Sequence, residues 1–138
     1  MSEPIIREFV ETDREALKNL WEVCGLSTSF NNPDDDMDRA QRFDNARLLV
    51  CLIDGIVVGS AFISHDARRG WVYYLAVLPE HQGKGIAKRL LNDGEAWIRR
   101  LGLIKMNLVV RGSNAAMKEF YYKLGYELHD GNLLYKWM

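Results

Sequence analysis

Apolar positions along the chain switch between two periods. Runs rich in β-branched and aromatic residues at 4–10, 47–54, 56–65, 68–78 and 104–110 read as strands. Helical spacing takes over elsewhere. Ala16, Leu17, Leu20, Trp21 and Cys24 share one face of a helix capped by Thr12 or Asp13 and stopped at Gly25. A polar loop with Pro33 leads into a short helix running to Phe43. Residues 84–101 form a long amphipathic helix ending at Gly102, and residues 113–125 another, capped by Ser113 or Asn114. Asp54-Gly55 is a strong hairpin signal, and Asp130-Gly131 predicts a second hairpin within 126–138. The order β-α-α-β-β-β-α-β-α-β-β implies a mixed, mostly antiparallel sheet with helices on its faces, an α+β fold.

The chain has 138 residues, 48% of them hydrophobic, enough for one core and too few for two, so residues 1–138 are expected to form a single domain. A net charge of −1 and the lack of a basic patch speak against a nucleic-acid partner or an anionic membrane. No apolar run approaches a membrane span, and the opening MSEPIIREF has no apolar signal core, so a cytoplasmic protein is expected. Cys24 and Cys51 form no CxxC and no pair with a histidine. They read as buried thiols, and no metal is expected.

The stretch that carries chemistry is YYLAVLPEHQGKGIAKRLL, Tyr73–Leu91. An apolar strand passes through a turn with Gly83 and Gly85 into a helix. A helix N-terminus leaves backbone N–H groups unpaired and carries partial positive charge, so anions bind there. Glycines let the turn close tightly and leave no Cβ in a ligand's way. Lys84 and Lys88 add charge. Neither GxxxxGK[ST] nor the full GxGxxG is present, so this is no P-loop and no dinucleotide fingerprint. On glycine spacing alone, a plain strand–helix connection stays open.

Gln82-Gly83-Lys84-Gly85-Ile86-Ala87, preceded by Leu75-Ala76-Val77 and Pro79-Glu80, resembles the acyl-CoA-binding motif [QR]-x-x-G-x-[GA] of the GNAT family of N-acetyltransferases. Asn114, Tyr121, Lys123, Gly125 and Tyr126 resemble a later family motif, with Met117 where the family has alanine. The element order is similar too. The resemblance implies a GNAT-like twisted sheet of about seven strands and transfer of an acetyl group from acetyl-CoA to an amine, on a small molecule or a protein. It implies that Gln82, Gly83, Lys84, Gly85, Ile86, Ala87 and Lys88 wrap the pyrophosphate. Leu75, Ala76 and Val77, on a strand bulged near Leu75–Val77, would meet the pantetheine arm together with Asn114 and Tyr121. It casts the Val77 N–H as oxyanion donor and Tyr121 as proton donor to the thiolate. Asn114 also suits a plain helix cap, and Tyr121 a core aromatic.

Other positions are less directed. Family members often place a carboxylate or histidine on the fourth strand, where this chain has Trp71 and Tyr73. Glu80, His81, His65 and the acidic loop are the other candidates for a general base. Trp21, Phe30, Phe43, Trp71 and Tyr73 are candidate acceptor-site residues, Phe30, Trp71 and Tyr73 foremost, with core packing as the alternative. Asp34, Asp35, Asp36 and Asp38 suit a cationic amine or, more simply, the capping of a helix start. Family members often dimerise, so a homodimer is open. A coenzyme A-binding sensor that has lost transfer is the alternative to an enzyme.

Overall fold

A computed structural model describes residues 2–138. Contacts divide the chain into two units, Met1–Leu108 and Val109–Met138. The first holds β1 (Ile5–Glu8), α1 (Arg14–Val23), α2 (Pro33–Arg42), β2 (Ala46–Ile53), β3 (Ile56–His65), β4 (Gly70–Val77), α3 (Ile86–Arg100) and β5 (Met106–Leu108). The second holds α4 (Ala115–Lys123).

Among the described residues five strands stand in the order β1-β2-β3-β4-β5, antiparallel except for the parallel β4–β5 pair. Asp54 and Gly55, at φ 51° and 79°, make the tight turn joining β2 to β3. Strand alternation then sorts side chains between two faces. Leu48, Val50, Leu52, Val57 and Ala76 pack with Leu17, Leu20 and Trp21 of α1 and Met37 of α2. The opposite face meets α3, whose Ile86, Leu90, Leu91, Gly94, Trp97 and Ile98 are buried. Gly94 is there because α3 crosses β3 closely: a Cβ at that position would lie 2.6 Å from Ile63 Cδ1. No described helix is long and apolar enough to cross a membrane.

One ion pair and one helix cap order the region before β2. Asp13 is buried and accepts hydrogen bonds from both Arg7 guanidinium nitrogens (2.7 and 3.0 Å) and from the Val10 N–H (2.9 Å). Asn32 caps α2, accepting from the N–H groups of Asp34 and Asp35. Capping therefore falls to Asn32, and Asp34, Asp35 and Asp36 sit in the helix's first turn.

The strand count departs from the expectation of about seven. Among the described residues, 126–138 form no strand. The alternation there is strand-like, but Leu128, Leu133, Leu134, Tyr135 and Trp137 are exposed. The expected hairpin is instead a local bend, in which the Gly131 N–H donates to His129 Nδ1 (2.8 Å). β propensity reflects packing on a pleated surface, and side chains as exposed as these gain little from it. β5 is likewise shorter than its apolar run.

Candidate functional site

The last half of β4 is irregular in a specific way. Ser60 pairs with Ala76 and Phe62 with Tyr73, so Tyr74 and Leu75 together oppose Ala61. This is a β-bulge, and it begins at Tyr74, upstream of the expected Leu75–Val77. Tyr74 has φ 53°, the left-handed region that a bulky residue rarely adopts. The bulge puts Tyr73 and Tyr74 on the same face, and each ring meets Phe62, at centroid distances of 6.3 and 6.4 Å.

Three contacts hold Tyr74 in place. Its ring stacks on Trp21, with centroids 3.7 Å apart. Its hydroxyl donates to Asp36 at 2.5 Å. Its carbonyl accepts from the buried Ser60 hydroxyl at 2.7 Å, and Ser60 Oγ in turn accepts from Trp21 Nε1 at 2.9 Å. Burial, with the Asp36 hydrogen bond and charge, holds the Tyr74 phenol well above its ordinary pKa.

Beyond the bulge, the Leu78 N–H donates to the Val58 carbonyl (2.8 Å). In an antiparallel ladder neighbouring residues alternate, so Val77 directs its N–H away from β3. On that side β5 pairs only with Gly70, Trp71 and Val72. The strands therefore part below Val72, and the Val77 N–H lies on the parted edge. The Val77 carbonyl accepts from Gln82 Nε2 (3.0 Å) and the Cys24 thiol (3.4 Å), tying the strand end to the turn that follows.

That turn runs through a short 3₁₀ segment, Pro79–His81, into Gln82-Gly83-Lys84-Gly85. Gly83 and Gly85 have φ 79° and 82°, and a Cβ on either would meet nothing within 4 Å. Gly85 is the cap residue of α3 and has no side chain to pair with the first N–H groups. Gln82, Gly83, Lys84, Gly85 and Lys88 are exposed, Ala87 is half-buried, and Ile86 anchors the helix in the core. The result is a run of backbone N–H groups at a helix N-terminus without a side-chain cap among the described residues, with open space at both glycines, a fit for a phosphate group. Leu75, Ala76, Val77 and residues 82–88 are thus brought together as one strand–turn–helix segment.

Of the other base candidates, His81 has a buried Nδ1 with no hydrogen-bond partner among the described residues. The acidic run is largely committed to structure. Asp34 pairs with Arg14 and Lys18 (3.0 Å each), and Asp38 pairs with Arg14 (2.7 Å). Hydrogen bonds from Lys18 and Arg14, with their charges, pull the Asp34 carboxyl below its usual range. Asp36 serves Tyr74. Trp71 is half-buried and shares the Tyr73 face, and Phe30 is exposed. Ser60 and the Asp36–Tyr74 pair were missed by sequence reasoning, because their partners lie on α1, α2 and β4 and meet only through tertiary packing.

In the second unit, Asn114 caps α4 by accepting from the Met117 N–H (3.1 Å), as its sequence position allows. Tyr121 is buried, with edge contacts to Phe120 and Tyr126. Burial pushes its phenol up to about 12, so it stays protonated through neutral pH. Tyr122, a quarter-turn away, is exposed. Both cysteines are free thiols whose pKa burial raises, a poor setting for a nucleophile.

The family described as Acetyltransferase (GNAT) family matches residues 13–126. An acetyltransferase of Sodalis glossinidius (strain morsitans) is 41% identical over 129 residues, covering 94% of this chain and 91% of that protein. An acetyltransferase of Yersinia pestis (strain Pestoides F) is 37% identical over 131 residues, covering 95% and 93%. Among solved structures, AAC(6')-Iy in complex with the bisubstrate analog CoA-S-monomethyl-acetylneamine superposes with a TM-score of 0.86 at 19% identity, over 99% of both chains. The PaiA N-acetyltransferase of Thermoplasma acidophilum in complex with coenzyme A gives 0.82 at 21%, over 95% and 94%. At these identities the superpositions establish a shared fold.

Proposed function

This chain belongs to the acetyltransferase (GNAT) family, and we propose that it moves an acetyl group directly from acetyl-CoA to a primary amine. The observation that carries the reading is continuous: a parted strand edge presenting the Val77 N–H runs straight into a glycine turn of unpaired donors at the start of α3. A CoA bisubstrate analog in one fold neighbour and coenzyme A in another support acetyl-CoA as co-substrate. The family match crosses both contact units, which supports one acetyltransferase domain over residues 1–138.

In this reading Gln82, Gly83, Lys84, Gly85, Ile86, Ala87 and Lys88 hold the pyrophosphate. Leu75 and Ala76 offer backbone groups to the pantetheine arm, with Asn114 contributing from the cap of α4. Acetyl transfer needs a neutral amine, donors for the developing oxyanion and a proton for the leaving thiolate. The Val77 N–H donates to the oxyanion. Tyr121, held protonated by burial, gives the proton to sulfur. No aspartate, glutamate or histidine lies on β4, and Asp36 is occupied by Tyr74, so no group on β4 itself takes the amine proton. Phe30, Trp71 and Tyr73 line the acceptor side. The two free thiols suit a reducing, cytoplasmic setting.

Isothermal titration with acetyl-CoA, followed by an amine panel on the same preparation, tests this. Micromolar binding and turnover with one amine class are expected. A folded sample that binds no acetyl-CoA overturns the reading, and binding without turnover over a broad panel favours a sensor.

A further inference from the structure

A tyrosine at φ 53° in a strand persists only where its surroundings over-determine it, and such outliers collect where strain serves a mechanism. Tyr74 is held from three directions: by the Trp21 stack, by the Asp36 carboxylate and by the Ser60 hydroxyl. Only the Ser60 bond acts on the backbone itself. Ser60 is fully buried on β3, one step from the bulge, and its hydroxyl is oriented because Trp21 Nε1 occupies its acceptor side. Its one proton is therefore aimed at the Tyr74 carbonyl.

The extra residue of a bulge re-aims the chain after it. Three residues beyond Tyr74 lies Val77, whose N–H points away from β3 onto the parted β4–β5 edge. We infer that Ser60 is a positioning residue for acetyl transfer: by fixing the Tyr74 carbonyl it sets the bulge, and the bulge sets the direction of the Val77 N–H. The inference rests on the acetyl-transfer reading. Ser60 touches neither the glycine turn nor any reacting atom, so its effect separates from coenzyme binding.

The test compares Ser60→Ala, Ser60→Thr and Ile63→Val in the full chain. Ile63→Val is a buried truncation on the α3 face of the same strand and serves as a stability control. Ser60→Ala is expected to lower kcat by roughly 10- to 100-fold, less than the roughly 100- to 1,000-fold for a removed oxyanion donor because the donor is displaced and not lost, with acetyl-CoA affinity within about threefold. Ser60→Thr keeps the hydroxyl and should restore kcat to within about threefold, and Ile63→Val should leave kcat unchanged. In the free protein, the backbone amide resonances of residues 74–77 should broaden in Ser60→Ala and stay sharp in Ser60→Thr. Wild-type kcat in folded Ser60→Ala, or an equal loss in Ile63→Val, overturns the positioning role. Parallel loss of acetyl-CoA binding also overturns it, by making Ser60 part of the cradle. A wild type that turns over no amine overturns the acetyl-transfer reading itself, whereas unchanged 74–77 resonances in Ser60→Ala overturn the bulge link whatever the activity.

Discussion

Replacing Gly85 by alanine separates the turn's two roles, conformational and ligand-facing. Gly85 has φ 82°, and a Cβ there meets nothing within 4 Å. The substitution therefore costs the free protein only backbone strain, about 1–2 kcal/mol for an L-residue in the left-handed region. The stiffer unfolded chain offsets about 0.4–1 kcal/mol of that. A net loss near 1 kcal/mol lowers the Tm by about 3–5 °C for a chain of this size. Gly102 is a matched control at the other end of α3: its φ is 81° and its Cβ space is equally empty. Both alanine variants should lose the same few degrees. They should part company on binding. In the proposed cradle, the Gly85→Ala methyl would occupy the space where a pyrophosphate oxygen approaches the backbone donors. Losing one hydrogen bond to a charged group costs about 1.5–3 kcal/mol, or roughly 10- to 150-fold in Kd. Thermal denaturation and coenzyme A titration of both variants decide it. Gly85→Ala binding within about threefold of wild type, or no worse than Gly102→Ala, would refute the cradle.

Tyr121→Phe should lower kcat by about 100-fold or more, as for loss of a general acid, with coenzyme A affinity nearly unchanged. Equal kcat with chemistry rate-limiting removes Tyr121 as the acid. The same variant bears on alkaline stability. The folded phenol titrates at about 12 against about 10 unfolded, so the folded state holds its proton longer and stability falls as pH rises from 10 to 12. A shift of that size is worth about 3 kcal/mol, and denaturant titrations across that window should show a shallower decline in Tyr121→Phe. Asp13 runs the other way. Burial alone would raise its carboxyl, but the Arg7 and Val10 hydrogen bonds and the Arg7 charge outweigh it and leave the pKa lowered. Its contribution is present above the ordinary carboxylate range and lost as pH falls through the lowered value. Asp13→Asn should cost roughly 1–3 kcal/mol at pH 7, measured by urea unfolding, with the gap to wild type closing on acidification.

The glycine turn was legible in the sequence because its residue types are demanding. Two left-handed positions, a glutamine that reaches back to Val77 and a helix start without a capping side chain leave a local signature. The element order was legible for the same reason, since period and turn chemistry are both short-range. The bulge was harder to place. YYLAV alternates no differently from an unbulged strand, and the bulge is fixed by Trp21, Asp36 and Ser60, far away in the chain. Propensity at 126–138 misled for the opposite reason, because a strand pattern records what a segment could pair and not whether a neighbour pairs it.

The acidic run shows how charge read from sequence can be spent before a ligand arrives. Asp34 and Asp38 converge on Arg14, joining α2 to α1, and Asp36 closes on Tyr74. Isolated exposed ion pairs contribute little, but one guanidinium shared among Glu11, Asp34 and Asp38 fixes how two helices meet. What the run supplies to the β4 face is one carboxylate already hydrogen-bonded to a phenol. In the transfer reaction proposed above, selection of an amine on that face would then fall chiefly to the aromatic surface of Trp71, Tyr73 and Phe62. Rings of this kind attract an ammonium group electrostatically but do not remove its proton. Charge attraction and deprotonation, which one strand carboxylate can combine, are therefore separate tasks in this chain. The rate of transfer should rise with pH according to the amine's own pKa.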